Sequence, residues 1–208
     1  MRYINHILPA LLTILLTVMT SAAATPTAAS LLQQAAGELR KSPAIEARFS
    51  ATASGSKTSG DILISGNRFR LTTQDATVWF DGHTQWAYSA ANKEVNICEP
   101  TMEEISQVNP FAIVSGLQKG YNTRRLTAPK GSDRLEFTPK TKREAFRKVV
   151  LTLNSASHLP QAIAVTLSDG SSVSINVSSI KKIAKVPGAE NFRFEKKKYP
   201  GVEIVDLR

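Results

Sequence analysis

Residues 60–97 read GDILISGNRFRLTTQDATVWFDGHTQWAYSAANKEVNI. Apolar residues alternate with polar ones, the alternation breaks at Gly66-Asn67 and Asp81-Gly82, and a Trp or Phe recurs on nearly every run. In an extended chain successive side chains point to opposite faces, so a period of two marks a half-buried strand. Gly-Asn and Asp-Gly between such runs supply the positive φ that tight hairpin turns require. The stretch therefore predicts four or five short strands, joined almost directly, curling into one large antiparallel sheet with a single apolar face.

On the N-terminal side, residues 27–41 (TAASLLQQAAGELRK) predict an amphipathic helix. Leu31, Leu32, Ala35, Ala36 and Leu39 recur at helical spacing, Ser30 is a candidate cap, and Pro43 stops the run. Residues 45–53 then alternate as a strand that turns at 54–57. On the C-terminal side the pattern changes. Residues 99–120 contain a short candidate helix at 102–107 and a second at 109–118, with Asn109 as cap and Pro110 at its first position. This apolar helical plug interrupts the meander and must lie over something. Strands resume at 121–127, 134–138, 146–153, 161–167 and 171–180, and Phe192-Arg193-Phe194 with residues 202–207 suggest a last edge strand. The expected architecture is mainly β with some α, roughly ten strands and two or three helices in one domain, the sheet covered by helices.

The first residues have the layout of a secretory signal. Arg2 precedes the apolar run ILPALLTILLTVM at 7–19, and Ser21-Ala22-Ala23-Ala24 offers small residues for cleavage after Ala24. That run of about 13 residues is short of the roughly 20 a spanning helix needs. A soluble exported chain of about 184 residues is expected, enough for one core. Its lone Cys98 cannot form an internal disulfide, so packing and sheet hydrogen bonds must stabilise it.

The formal charge of +9 is spread over turns and strand ends, without the interleaved aromatics of a nucleic-acid surface, and weak attraction to anionic lipid headgroups suits it better. Catalytic signatures are missing as well. His83 and His158 sit in separate turns, no ligand spacing suggests a metal, and no Gly-x-Ser-x-Gly or phosphate-cradling Gly-rich loop is present. Two Ser-x-x-Lys matches, at Ser54 and Ser178, fall in a turn and a strand rather than at the start of a buried helix. The chain reads as a binding protein rather than an enzyme, with no cofactor.

Alternation points Phe49, Ile62, Ile64, Phe69, Leu71, Trp79, Trp86, Tyr88, Val149, Leu151, Ile163 and Val165 to the covered face. Periodicity does not distinguish a close-packed core from the wall of an apolar cleft under a removable cover. In a dry cleft each buried methylene of an acyl chain is worth about 0.8 kcal/mol.

The order of signal, amphipathic helix, strand pair, VWFDGHTQWAYSAANKEV and Asn-Pro-Phe helix resembles the periplasmic lipoprotein carrier LolA and its relatives. The matching run is 79–95, where Asp81-Gly82-x-Thr84-x-Trp86-x-Tyr88 is the most recognisable stretch; Asn109-Pro110-Phe111 and Leu135-Glu136-Phe137-Thr138-Pro139-Lys140 also match. The resemblance implies an unclosed half-barrel with a helical lid, in a carrier domain at 25–208 after a signal peptide at 1–24. It implies a periplasmic chaperone that binds the acyl chains of lipoproteins and ferries them from inner to outer membrane. Phe111, Ile113, Val114 and Leu117 of the lid would plug the empty cavity. Expected partners are acylated lipoproteins, an inner-membrane lipoprotein-releasing ABC transporter and an outer-membrane acceptor, the carrier itself being a monomer. A sensing adaptor that detects lipids or lipoproteins with the same fold is the alternative. One feature departs from the family: where it often carries an Arg before a Pro-Asn turn, important for handing cargo onward, this chain has Ser65-Gly66-Asn67. Arg68 follows that turn without being equivalent, which leaves the acceptor open.

Overall fold

The computed structural model describes residues 25–101, 104, 105, 109, 111, 117, 120–141 and 146–208. The expected signal at 1–24, most of both expected helices between 102 and 118, and the candidate residues Ile113 and Val114 lie outside the described residues.

Helix α1 (Ala28–Arg40) buries Ala28, Leu31, Leu32, Ala35 and Ala36. This i, i+3, i+4, i+7, i+8 stripe is the face a helix lays on a core. Its cap is Thr27 rather than the expected Ser30: the Ser30 N–H donates to Thr27 Oγ1 at 3.1 Å, and the Ser30 hydroxyl donates back to the Thr27 carbonyl at 2.9 Å. The helix ends at Lys41, two residues before Pro43.

Twelve strands follow: β1 (Ala44–Ala53), β2 (Ser56–Ser65), β3 (Arg68–Thr73), β4 (Ala76–Phe80), β5 (Gln85–Ser89), β6 (Glu94–Cys98), β7 (Tyr121–Leu126), β8 (Ser132–Pro139), β9 (Phe146–Asn154), β10 (Pro160–Leu167), β11 (Ser172–Ile183) and β12 (Glu203–Asp206). They form one sheet in the order β12-β6-β5-β4-β3-β2-β1-β11-β10-β9-β8-β7, unclosed, with β7 and β12 as its edges. Every pair is antiparallel except β12 with β6, which is parallel. The sheet is not one continuous meander: β1 to β6 and β7 to β11 each pair in chain order, the two halves join through β1 and β11, and β12 returns to β6. The long β11 pairs with β1 across a register shift between Arg48 and Phe49, where the Ser178 hydroxyl donates to the Arg48 carbonyl at 3.3 Å. Such a bulge bends the sheet and keeps Phe49 and Val177 on the same face.

The core sits on the face that α1 covers, here the inner face. Ile45, Ala47 and Phe49 of β1, Ile62 of β2, Phe69 of β3 and Phe80 of β4 join Leu135, Phe137, Val149, Leu151, Leu153, Ile163, Val165 and Ile175 of β8–β11 in one cluster with α1. Ile105, Phe111 and Leu117 belong to the same cluster, so the 101–120 segment places side chains on this face. That segment starts with a capping box: the Glu104 N–H donates to Thr101 Oγ1, and the Thr101 N–H donates to Glu104 Oε2 at 2.7 Å. Further on, Asn109 Oδ1 accepts the Phe111 N–H at 3.0 Å, the cap role expected from the Asn-Pro-Phe sequence.

Candidate functional site

Side chains directly opposite one another on paired strands share a face. The register therefore sorts the residues expected on the single apolar face. Phe49, Ile62, Ile64, Phe69, Leu71, Val149, Leu151, Ile163 and Val165 lie in or against the inner cluster, as do Phe111 and Leu117. The placement of Trp79, Trp86 and Tyr88 corrects the expectation. Phe69 pairs with Phe80, while Arg70 pairs with Trp79. Trp79 in turn pairs with Trp86, and Tyr88 lies beside Thr77 on the same side. All three rings occupy the outer face, opposite the cargo wall predicted for them.

The reason lies in the composition of β4. Val78-Trp79-Phe80 is apolar on both faces, so alternation there does not say which side is covered. Beyond it, β5 and β6 place Gln85, Ala87, Asn96 and Cys98 on the inner side, and Trp86, Tyr88, Val95 and Ile97 on the outer. The apolar surface thus changes sides along the sheet. It is inner from β8 to β3, double at β4, and outer at β5–β6.

What covers the outer patch is the chain after β11. A 3-10 turn at Ala189–Phe192 buries Phe192 completely against Ala44 and Leu63, with the Arg68 guanidinium 4.6 Å above its ring. Arg68 also donates to the Ser65 hydroxyl at 3.4 Å. Its side chain holds this strap on the outer face. Further along, Phe194 and Tyr199 meet Trp79 edge-on at centroid distances of 5.8 and 5.7 Å, and Tyr199 lies 4.6 Å from Tyr88. Strand β12 then joins β6, and because the strap crosses the sheet before arriving there, it runs parallel.

The Asp81-Gly82-His83-Thr84 turn fastens the strap. Asp81 Oδ1 accepts the His83 and Thr84 N–H groups at 3.1 and 3.0 Å, and Asp81 Oδ2 pairs with Arg193 Nε at 3.0 Å. Burial pushes the Asp81 carboxyl up, but those two N–H groups and Arg193 outweigh it and hold the group below the ordinary carboxylate value. Gly82 has φ +105°, and a Cβ there would stand 2.8 Å from Asn67 Nδ2 in the neighbouring hairpin turn. The most recognisable stretch of the sequence thus has a structural role, shaping a turn and anchoring the strap.

On the inner face the polar exceptions sit toward the sheet edges. Asp133, only 5 % exposed, receives Arg125 Nη2 at 2.6 Å, and the Tyr121 hydroxyl accepts the Phe146 N–H at 3.3 Å. Burial, the Glu104 carboxylate and a 3.7 Å contact from Gln85 Nε2 surround Cys98; the first two dominate and push its thiol up. Among the described residues no group of three His, Cys, Asp or Glu side chains could hold a metal ion, and no helix is long and apolar enough to cross a membrane. Sequence reasoning missed Phe192, Phe194, Tyr199 and Arg70 as partners of the aromatic strands. The Phe192-Arg193-Phe194 alternation, expected to join the last edge strand, instead follows a 3-10 turn in the strap, and only Glu203–Asp206 forms that strand.

The fold is shared with solved proteins of low identity. An uncharacterised conserved protein from Thermus thermophilus superposes with a TM-score of 0.56 at 12 % identity, over 85 % of this chain and 96 % of that one. The complex of MucA and MucB from Pseudomonas aeruginosa matches with a TM-score of 0.50 at 18 % identity, over 82 % of this chain and 62 % of that one. No curated protein matches the sequence. The family described as outer membrane lipoprotein carrier protein LolA matches residues 18–170, which takes in α1 and every strand from β1 to β10. On that span, with its unclosed sheet and helix-covered inner face, the chain belongs to the LolA family.

Proposed function

We propose that residues 25–208, released from a signal peptide at 1–24, act as a non-catalytic periplasmic carrier of lipoprotein acyl chains. The observation that carries this reading is the way the inner face is closed. Among the described residues, a wide apolar sheet surface is covered by α1 and by Ile105, Phe111 and Leu117, not by a second sheet. Helical covers of this kind can move aside without breaking sheet hydrogen bonds. Acyl chains would then replace Phe111 and Leu117 against Phe49, Ile62, Phe69, Val149, Leu151, Ile163 and Val165, each methylene regaining about 0.8 kcal/mol on burial. The donor would be an inner-membrane lipoprotein-releasing ABC transporter and the acceptor a component of the outer membrane. The expected lid residues Ile113 and Val114 belong to this proposal.

Phe111→Glu and Trp86→Glu test it together. A carboxylate on the inner face must be desolvated by incoming lipid, whereas one on the outer face is not. Phe111→Glu is expected to weaken uptake of a fluorescent fatty acid about tenfold or more, and Trp86→Glu to leave it within about twofold. Transfer of acylated lipoprotein out of isolated inner membranes should follow the same order. Equal losses in both variants, or no uptake by the unaltered chain, would overturn the reading.

A further inference from the structure

Between the strap and the outer face of β3–β4 lies a cleft of about 220 Å³, lined by Arg70, Thr72, Thr77, Trp79, Glu190, Arg193, Glu195, Lys198 and Tyr199. It opens away from the acyl-chain face, and it is smaller than the roughly 300 Å³ at which pockets begin to hold drug-sized ligands. An acyl chain is therefore the wrong occupant, and a compact polar group is the right size.

The charges narrow the chemistry. Arg193 is taken up by Asp81 at 3.0 Å, and Lys198 by Glu195 at 3.1 Å. Two charged side chains of the lining are left without an ion-pair partner among the described residues, and they are of opposite sign. Arg70 is half-buried and makes no hydrogen bond there, while Glu190 is bonded through Oε1 to the Asn191 amide at 3.1 Å. Arg70 sits opposite Trp79, and at the next pair on the same face Thr72 sits opposite Thr77, so two hydroxyl-bearing residues share the lining with Arg70. Burial raises the Tyr199 phenol, which therefore keeps its proton as a donor. A fork of guanidinium N–H groups with adjacent hydroxyls suits an oxyanion, and a carboxylate beside aromatic rings suits an ammonium.

We propose that this cleft binds a compact zwitterion, its phosphate or carboxylate held by Arg70, Thr72 and Thr77 and its ammonium turned toward Glu190. The same chemistry is carried by a free solute such as O-phosphoethanolamine and by the headgroup of an aminophospholipid. The site is separate from the acyl-chain face, so its loss leaves fatty-acid uptake unchanged.

The test is calorimetric titration of the full chain with O-phosphoethanolamine and, separately, inorganic phosphate. Trp79 emission is followed in a Trp86→Phe background, which leaves Trp79 as the single tryptophan. O-phosphoethanolamine is expected to bind more tightly than phosphate and to shift the Trp79 emission. Arg70→Gln should weaken both probes about tenfold, the loss of one charge-assisted contact. Glu190→Gln, an exposed change on the strap that leaves the sheet intact, should weaken O-phosphoethanolamine and leave phosphate unchanged. Cosedimentation with phosphatidylethanolamine vesicles that O-phosphoethanolamine reverses would identify the headgroup as the source; binding of the free solute alone would identify a solute site. Equal affinity for the two probes with no effect of Glu190→Gln, or no response to either probe, would overturn the proposal.

Discussion

On the inner face, strands far apart in the sheet contribute Phe49, Ile62, Phe69, Phe137, Val149 and Leu151 to one cluster, and α1 crosses it as a pre-formed helix. On the outer face the apolar patch is confined to β2–β6, and its cover is an irregular strap held by a few discrete contacts: Phe192 under Arg68, Arg193 on Asp81, Tyr199 against Trp79 and Tyr88. The two covers differ in kind. The inner one, made of Leu31, Leu32, Ile105, Phe111 and Leu117, is apolar and rests on shape, which a lipid chain can imitate. The outer one uses aromatic edges, a cation over a ring and an ion pair, which an acyl chain cannot replace. That contrast supports the proposal of exchangeable cargo on the inner face and a fixed buttress on the outer.

The contrast can be broken by substitution, and the largest effect is expected in the inner core. Phe69→Ala removes a fully buried ring that lies 5.5 Å from Phe80. It should cost about 3–5 kcal/mol in denaturant unfolding, transfer and cavity contributions together. A loss below about 1 kcal/mol would mean that the inner face is loosely filled even without cargo. Gly82→Ala comes next. It combines φ +105° with a 2.8 Å approach to Asn67, and should cost about 1–3 kcal/mol while leaving fatty-acid uptake intact. Reduced uptake by that variant would show that the strap and the cargo face are coupled.

The smallest effect is on pH. Asp81 is held below its ordinary value of 3.8, so it binds fewer protons folded than unfolded. Its contribution is present above that value and is lost as pH falls through the lower folded value. Strap docking, read from Trp79 emission in the Trp86→Phe background, should therefore weaken below about pH 3.8 in the unaltered chain. With Asp81→Asn that dependence should vanish, at a stability cost of about 1 kcal/mol. An unchanged acid transition in Asp81→Asn would show that the ion pair to Arg193 does not anchor the strap.

Much of the fold was legible because its signals are local. Gly66 and Gly82 have positive φ at the predicted turns, and the buried Leu31, Leu32, Ala35 and Ala36 needed nothing but helical spacing. The candidate site was legible only where one face of a strand is apolar. On β10, Ile163 and Val165 alternate with Ala162, Ala164 and Thr166, and their side was unambiguous. On β4, three consecutive apolar residues made the sides equivalent, and Trp79 was assigned to the wrong one.

By itself, then, the sequence determined where strands begin and turn, which helix face is buried, and that a large apolar surface must be covered, because each depends on neighbours within a few residues. Only the tertiary structure decided which side of β4–β6 that surface occupies. The choice depends on Phe192, Phe194 and Tyr199, which arrive more than 90 residues after the strands they cover and supply a second apolar environment on the far face. Period-two alternation separates the two faces of a strand; the packing partner decides which of them is inside.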